Sequence, residues 1–311
     1  MVQRRAMAKA ITLLESTRAD HREQADALLA QIMPHTGKAL RVGISGVPGV
    51  GKSTFIEALG LYLIAQGNRV AVLAVDPSSS VSGGSILGDK TRMEQLSASE
   101  SAFIRPSPSG GSLGGVADKT REAMLVCEAA GYDVVLVETV GVGQSETAVH
   151  GMTDMFCLLQ LPNAGADLVV INKADIDEAA AIRARAQITS ALRLLSQHGN
   201  PDKAFHDEAL WHPTVVQLSA LKGEGIEAFW QAVTTFDRLQ TANGQKAMRR
   251  QQQAKAWMWS RIHSGLREAF MATPSVKSAL AHTEQDVLSG RTAPSAAARQ
   301  LLSLWAQSAS Q

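Results

Sequence analysis

The sequence predicts an α/β fold, a mostly parallel sheet with helices on both faces, and three observations predict it. From residue 40 to about 237, short runs rich in Val, Ile and Leu alternate with helical stretches, the pattern of strands buried on both sides and joined by crossover helices. The first run, Leu40-Arg41-Val42-Gly43-Ile44, passes through a glycine-rich loop directly into the helical Thr54-Phe55-Ile56-Glu57-Ala58-Leu59. After Asp237 the strand pattern stops and only helical spacing continues.

In chain order, residues 2–33 show helical spacing at Ile11, Leu13 and Leu14, then Leu28, Leu29, Ile32 and Met33, broken around Thr17-Arg18-Ala19-Asp20. Two helices are therefore expected before the first strand. Strands are expected at Leu40–Ser45, Arg69–Val75, Ala102–Arg105, Asp133–Glu138, Met155–Leu161, Leu168–Asn172 and Thr214–Leu218. The tail reads as helices over Met248–Trp259, Val276–Leu288 and Ala293–Trp305, with breaks at Pro274 and Gly290-Arg291-Thr292. The expected division is 1–38 as a helical extension, 39–240 as a nucleotide-binding domain and 241–311 as a helical region that packs on the core or pairs with another subunit.

One connection conflicts with this plan. Only Pro162-Asn163-Ala164-Gly165-Ala166-Asp167 separate Met155–Leu161 from Leu168–Asn172, and a helical crossover between parallel neighbours takes a dozen residues or more. Either the two strands are antiparallel, or residues are omitted near Gly165 and the chain breaks there.

The loop Gly46-Val47-Pro48-Gly49-Val50-Gly51-Lys52-Ser53 fits the phosphate-loop pattern G-x-x-x-x-G-K-[ST] between a strand and a helix. Its glycines let successive backbone N–H groups turn inward, and with Thr54 in the first helical turn they form a cradle for a polyphosphate. Lys52 reaches the β- and γ-phosphates and the Ser53 hydroxyl ligates Mg2+. Strand ends in open α/β sheets face the ligand crevice, so Asp76 is placed for the Mg2+ shell and Asp89 joins from the run Ser82-Gly83-Gly84-Ser85-Ile86-Leu87-Gly88. An ordinary cap or turn is the competing reading of both aspartates.

Val134-Val135-Leu136-Val137 delivers Glu138 to the same edge, to hold Mg2+ or its water, and Gly141 offers its N–H to a γ-phosphate. Many GTPases set a Gln directly after that glycine to orient the attacking water. Here Val142 stands there and Gln144 follows three residues beyond the glycine, so slow intrinsic hydrolysis is expected, accelerated by a partner or another segment. Base identity is read by Asn172-Lys173-Ala174-Asp175: the Asp175 carboxylate accepts from guanine N1–H and N2–H2, Asn172 fixes the loop and the Lys173 stem covers the ring. Ser219-Ala220-Leu221 backs the guanine through main-chain amides, or is an ordinary turn. The cofactors expected are GTP or GDP and Mg2+.

Thirty basic and 29 acidic residues among 311 leave a net charge of +1, which does not point to nucleic acid or an anionic membrane as partner. No apolar run reaches the roughly 18 residues needed to span a bilayer, and Met1-Val2-Gln3-Arg4-Arg5-Ala6-Met7 lacks the apolar core of a signal peptide. A cytoplasmic location is expected, with Cys127 and Cys157 as small core residues in a reducing compartment.

Together the motifs resemble those of the methylmalonyl-CoA mutase-associated GTPases, the MeaB/ArgK family that includes the cobalamin type A protein. The residues that carry the resemblance are Gly46–Ser53, Val75-Asp76-Pro77-Ser78-Ser79, Gly83–Met93, Ile104-Arg105-Pro106, Leu113-Gly114-Gly115, Val137–Glu146 and Asn172–Asp175. The resemblance implies a P-loop NTPase of SIMIBI type with an N-terminal helical extension and a C-terminal dimerisation arm. It further implies a homodimeric GTPase chaperone of adenosylcobalamin-dependent methylmalonyl-CoA mutase that gates cofactor loading and helps release damaged cofactor. Carried over, Lys52 binds phosphate, Ser53, Asp76, Asp89 and Glu138 surround Mg2+, and Asp175 reads guanine. Family members usually carry a longer Asp-Glu-Leu-Gln-Gly-Ile-Lys-Lys-Gly-type insertion, a mobile switch, after the equivalent of Gly165, and this sequence lacks it. Three alternatives stand beside this reading: a metallochaperone GTPase, although the eight His are scattered, a P-loop kinase, which would seldom need a guanine-reading motif, and an interaction module whose nucleotide site is structural, against which the presence of Lys52, Ser53, Asp76 and Glu138 argues.

Overall fold

A computed structural model of the chain describes residues 2–16, 18–75, 93–106, 113–139, 144–159, 166–197 and 210–309. Its centre is a seven-stranded sheet: β1 (Leu40–Gly46), β2 (Val70–Val75), β3 (Ala102–Arg105), β4 (Val134–Thr139), β5 (Met155–Leu159), β6 (Leu168–Ile171) and β7 (Thr214–Gln217). The order is β3-β2-β4-β1-β5-β6-β7 and every pairing is parallel. The strands β1, β2, β4, β5 and β6 are buried almost throughout, which is why they read as continuous apolar runs.

Side-chain alternation divides the core in two. Val42 and Ile44 of β1 and Val134 and Leu136 of β4 face α3 (Lys52–Ala65), α4 (Glu94–Ala98) and α8 (Ile226–Ala242). Val135 and Val137 face the opposite layer, built from α1 (Val2–Glu15), α2 (Ala19–Ile32), α5 (Leu113–Ala129), α6 (Gln144–His150) and α7 (Glu178–Gln197). The two predicted leading helices are thus part of the core: Met7, Ile11 and Leu14 are buried, Glu15 pairs with Arg105, and Arg4 donates to the Ser99 and Ala102 carbonyls.

The short connection has a geometric answer. β5 and β6 are parallel, with Cys157 opposite Leu168 and Leu159 opposite Val170, so the antiparallel alternative is excluded. Because Leu168 lies opposite a residue only two positions before Leu159, the return is about 7 Å along the strand and about 5 Å across. A span that short needs no helix. The join expected at Gly165 lies in residues 160–165, outside the described residues.

Two units make up the chain, Met1–Gln253 and Ala254–Gln311. α9 (Gln245–Ala272) runs 28 residues, well past the Trp259 end read from the sequence, because no proline interrupts it before Pro274. Within the second unit α10 (Pro274–Leu288) packs on α11 (Pro294–Ala309), with Val276, Ala297 and Leu301 buried and Phe270 edge-on to Trp305 at 6.1 Å. On this part of α9, Met258, Trp259, Ile262 and Leu266 are exposed. Among the described residues no helix is long and apolar enough to cross a membrane.

Candidate nucleotide site

β1 ends at Gly46 and α3 begins at Lys52, so the intervening loop lies at the carboxyl edge of the central strand. Gly51 caps α3 with φ 93°, a conformation that side chains resist. A Cβ there would come within 2.7 Å of Asn172 Nδ2. Lys52 is buried and its Nζ donates to the Gly46 and Val47 carbonyls at 2.7 and 3.2 Å, so the ammonium folds back onto its own loop. Burial pulls Lys52 below the ordinary lysine range, and the Glu138 and Glu146 carboxylates act in the opposite direction.

Strand alternation sends Glu138 to the α3 side of the sheet, where its Oε1 lies 3.4 Å from the Ser53 hydroxyl. This pair is an oxygen-only donor set of the kind a hard divalent cation prefers, so the residues present fit Mg2+. Asp76, Asp89 and Gly141 fall outside the described residues. Gln144 begins α6.

Asn172 links the other two loops. Its buried amide donates from Nδ2 to the Val50 carbonyl at 3.0 Å, while Oδ1 accepts from the backbone amides of Lys173 at 2.8 Å and Ala220 at 3.1 Å. Lys173 takes φ 60° and its Nζ donates to the Gly49 carbonyl at 2.9 Å. The Ser219 hydroxyl lowers the Asp175 pKa, with Lys222, 3.8 Å away, adding to the effect. A cavity of about 360 Å3 adjoins these groups, lined by Ala174, Asp175, Glu178, Ser219, Lys222 and Gly225. Of the three amides expected to back the base, that of Ser219 donates to the Glu224 carbonyl and that of Ala220 to Asn172. Leu221 is 83% exposed.

Three side chains given no role from sequence complete the site on the α6 face of the sheet. Thr139 Oγ1 donates to Ser45 Oγ at 2.8 Å, and Ser45 Oγ donates to Glu146 Oε1 at 2.9 Å. No local signal marks them: Ser45 is one hydroxyl in a strand that also carries Arg41, and its partners lie on other elements.

A model of the protein family described as "Methylmalonyl Co-A mutase-associated GTPase MeaB" matches residues 7–275. The chain is 49% identical over 270 residues to "GTPase ArgK" of Escherichia coli, covering 82% of this chain and 79% of that one. Against "Methylmalonic aciduria type A homolog, mitochondrial" of Mus musculus it is 46% identical over 324 residues, covering 96% of this chain and 76% of that one. A solved structure described as "Crystal structure of LAO/AO transport system kinase" aligns with TM-score 0.74 at 39% identity, over 96% of this chain and 92% of that one.

Proposed function

This chain belongs to the methylmalonyl-CoA mutase-associated GTPase MeaB family, and from that premise we propose that its GTP hydrolysis is a Mg2+-dependent switch acting on an adenosylcobalamin-dependent methylmalonyl-CoA mutase. In this reading the switch gates cofactor loading and the release of damaged cofactor. The observation that carries it is Asn172, whose one amide ties the phosphate loop at Val50 to the Ala220 loop beside Asp175. Such a staple holds a phosphate cradle and a base-reading carboxylate at a fixed spacing, as a guanine nucleotide requires.

Residue roles follow from chemistry. When a nucleotide enters, Lys52 exchanges the Gly46 and Val47 carbonyls for phosphate oxygens, and the loop amides and the N-terminus of α3 take the remaining negative charge. Ser53, Glu138, Asp76 and Asp89 would hold Mg2+, which neutralises charge building on the phosphates. Gly141 contacts the γ-phosphate and Gln144 is the candidate to orient water. Asp175 pairs with guanine, and the Lys173 stem covers the ring. The γ-phosphate orders the loops and its loss relaxes them, so the free energy goes into conformation.

The exposed Met258, Trp259, Ile262 and Leu266 follow helical spacing on α9 and support a homodimer through this helix. Sedimentation of the full chain tests it, and a monomer at micromolar concentration removes it.

The deciding assay is the GTPase rate with and without a purified adenosylcobalamin-dependent methylmalonyl-CoA mutase, with ATP as control. A slow GTP-only rate that rises with the mutase is expected, and no rise leaves a GTPase with another client. A kinase reading has one observation in its favour: the solved structure aligned above is itself described as a transport system kinase. Phosphate appearing on an acceptor instead of free in solution would revive it.

A further inference from the structure

The helix that follows the Glu138 strand is seated on the phosphate-loop strand with little clearance. Gly43 and Ser45 of β1 point to the same face, and α6 lies over both. A Cβ at Gly43 would meet Val149 Cγ1 at 2.7 Å and Thr153 Oγ1 at 2.9 Å, so only glycine admits α6 this close. One turn earlier on the helix, Glu146 meets Ser45 at 2.9 Å, and Ser45 receives Thr139 at 2.8 Å. Ser45 and Thr139 are completely buried and Glu146 is partly buried, so the Thr139–Ser45 end of this polar chain is shielded from competing water, where hydrogen bonds hold geometry best. It joins the strand that enters the phosphate loop, the strand that delivers Glu138, and the first turn of α6.

We propose that Glu146 is a positioning residue for GTP hydrolysis: through Ser45 and Thr139 it locks the first turn of α6 to the ends of β1 and β4, so that helix and phosphate loop keep one spacing during turnover. Glu146 lies on the opposite sheet face from the Ser53–Glu138 pair, and its carboxylate oxygen is already bonded to Ser45. The ground-state grip on the nucleotide falls to Lys52 and the loop amides. The Glu146 carboxylate also favours the Lys52 ammonium, a charge effect that Glu146→Gln removes while keeping the Ser45 bond, so the positional part of its contribution is the part that belongs to kcat rather than to nucleotide affinity.

The proposal rests on the reading of Lys52 as the phosphate-binding lysine, and Lys52→Ala separates the two: unchanged nucleotide binding in that variant overturns the site, whatever Glu146 does. Steady-state GTP hydrolysis is measured alongside equilibrium binding of a fluorescent GDP analogue. Glu146→Ala is expected to lower kcat about 10-fold with the analogue's Kd changed less than about 2-fold, the pattern of an interaction lost in the transition state rather than in binding. Glu146→Gln, whose amide oxygen still accepts from Ser45, restores most of that loss. Ser45→Ala lowers kcat similarly, and adding Glu146→Ala to it costs no further rate, because both substitutions break one chain. If Glu146→Ala does not fold, Ser45→Ala and Glu146→Gln carry the test. A Gln variant as slow as the Ala variant, fully additive losses, or affinity falling in step with kcat would each overturn the assignment.

Discussion

Arg250 grips Asp154 with a two-pronged fork: Nε donates to Oδ1 and Nη2 to Oδ2, each at 2.6 Å. Asp154 also accepts from the Arg41 amide at 2.9 Å, and Arg250 reaches the Gly37 and Ala39 carbonyls. The start of α9 is thereby fastened to the start of β1. Burial, the largest single effect, raises the Asp154 pKa; Arg250, the Arg41 amide and the Lys246 charge together outweigh it, and the net shift is downward.

Removing one partner of so buried a pair strands the other charge. Arg250→Ala is expected to destabilise the first unit by about 3 kcal/mol, read from the denaturant midpoint at pH 7. Asp154→Ala/Arg250→Ala should cost less than the two single losses added. Since the folded Asp154 pKa lies below its unfolded value, this stabilisation is complete above about pH 3.9 and lost as pH falls further. Equal midpoints for wild type and Arg250→Ala would remove the fork from the account of stability.

His150 introduces a second pH dependence, at milder acidity. Its Nε2 lies 3.1 Å from Arg249 Nη2, and Arg249 can only donate, so the ring accepts there and is neutral. Burial and the Arg249 charge lower its pKa, opposed by Asp167. A base whose folded pKa is depressed costs stability as pH drops through its unfolded value, about 6.5. Asp167, with its own pKa raised by burial against the pull of Arg249, works in the opposite sense, so the comparison must be between variants. Wild type should lose more stability than His150→Gln between pH 7.5 and about 5.5. Parallel melting-temperature profiles would exclude His150 as the source.

Gly51→Ala is expected to weaken nucleotide binding at least about 10-fold and to lower stability by about 1–2 kcal/mol, the cost of a side chain held at positive φ. The new methyl also meets Asn172 Nδ2, which cannot yield without releasing the Val50 carbonyl. Asn172→Ala frees that space, so Gly51→Ala should cost less affinity in its presence. Equal costs in both backgrounds, measured by fluorescent-nucleotide titration, would show that backbone strain acts alone.

What the sequence disclosed is what is local. β3 is found at Ala102–Arg105 as expected and the other strands within two residues of their expected ends, because strands buried on both faces write themselves as apolar runs. The phosphate-loop pattern and Asn172–Asp175 stand out in the sequence because the chemistry proposed for them calls for fixed residue types at fixed spacing. Arg250 and Asp154 are separated by 96 positions, and the Thr139–Ser45–Glu146 chain joins three elements. Neither has a local signature, since each exists only once the strand order has brought the groups together. The β5–β6 connection misleads for a related reason: its length does not disclose the register that makes the return short.

Asp175→Asn gives the sharpest test of base reading. A carboxylate offers two acceptors to the N1–H and N2–H2 donors of guanine, whereas an amide turns one of those positions into a donor facing a donor. Loss of a hydrogen bond to a charged group is worth up to about 3 kcal/mol, so GTP affinity should fall about 100-fold. Xanthine carries a carbonyl oxygen where guanine carries its amino group, and the new amide can donate to it while still accepting from N1–H. The variant should therefore bind xanthosine triphosphate more tightly than GTP, reversing the wild-type order in competition against one labelled nucleotide. Retained preference for GTP would take Asp175 out of the base contact and leave the cavity beside Ser219 and Lys222 without its assigned occupant.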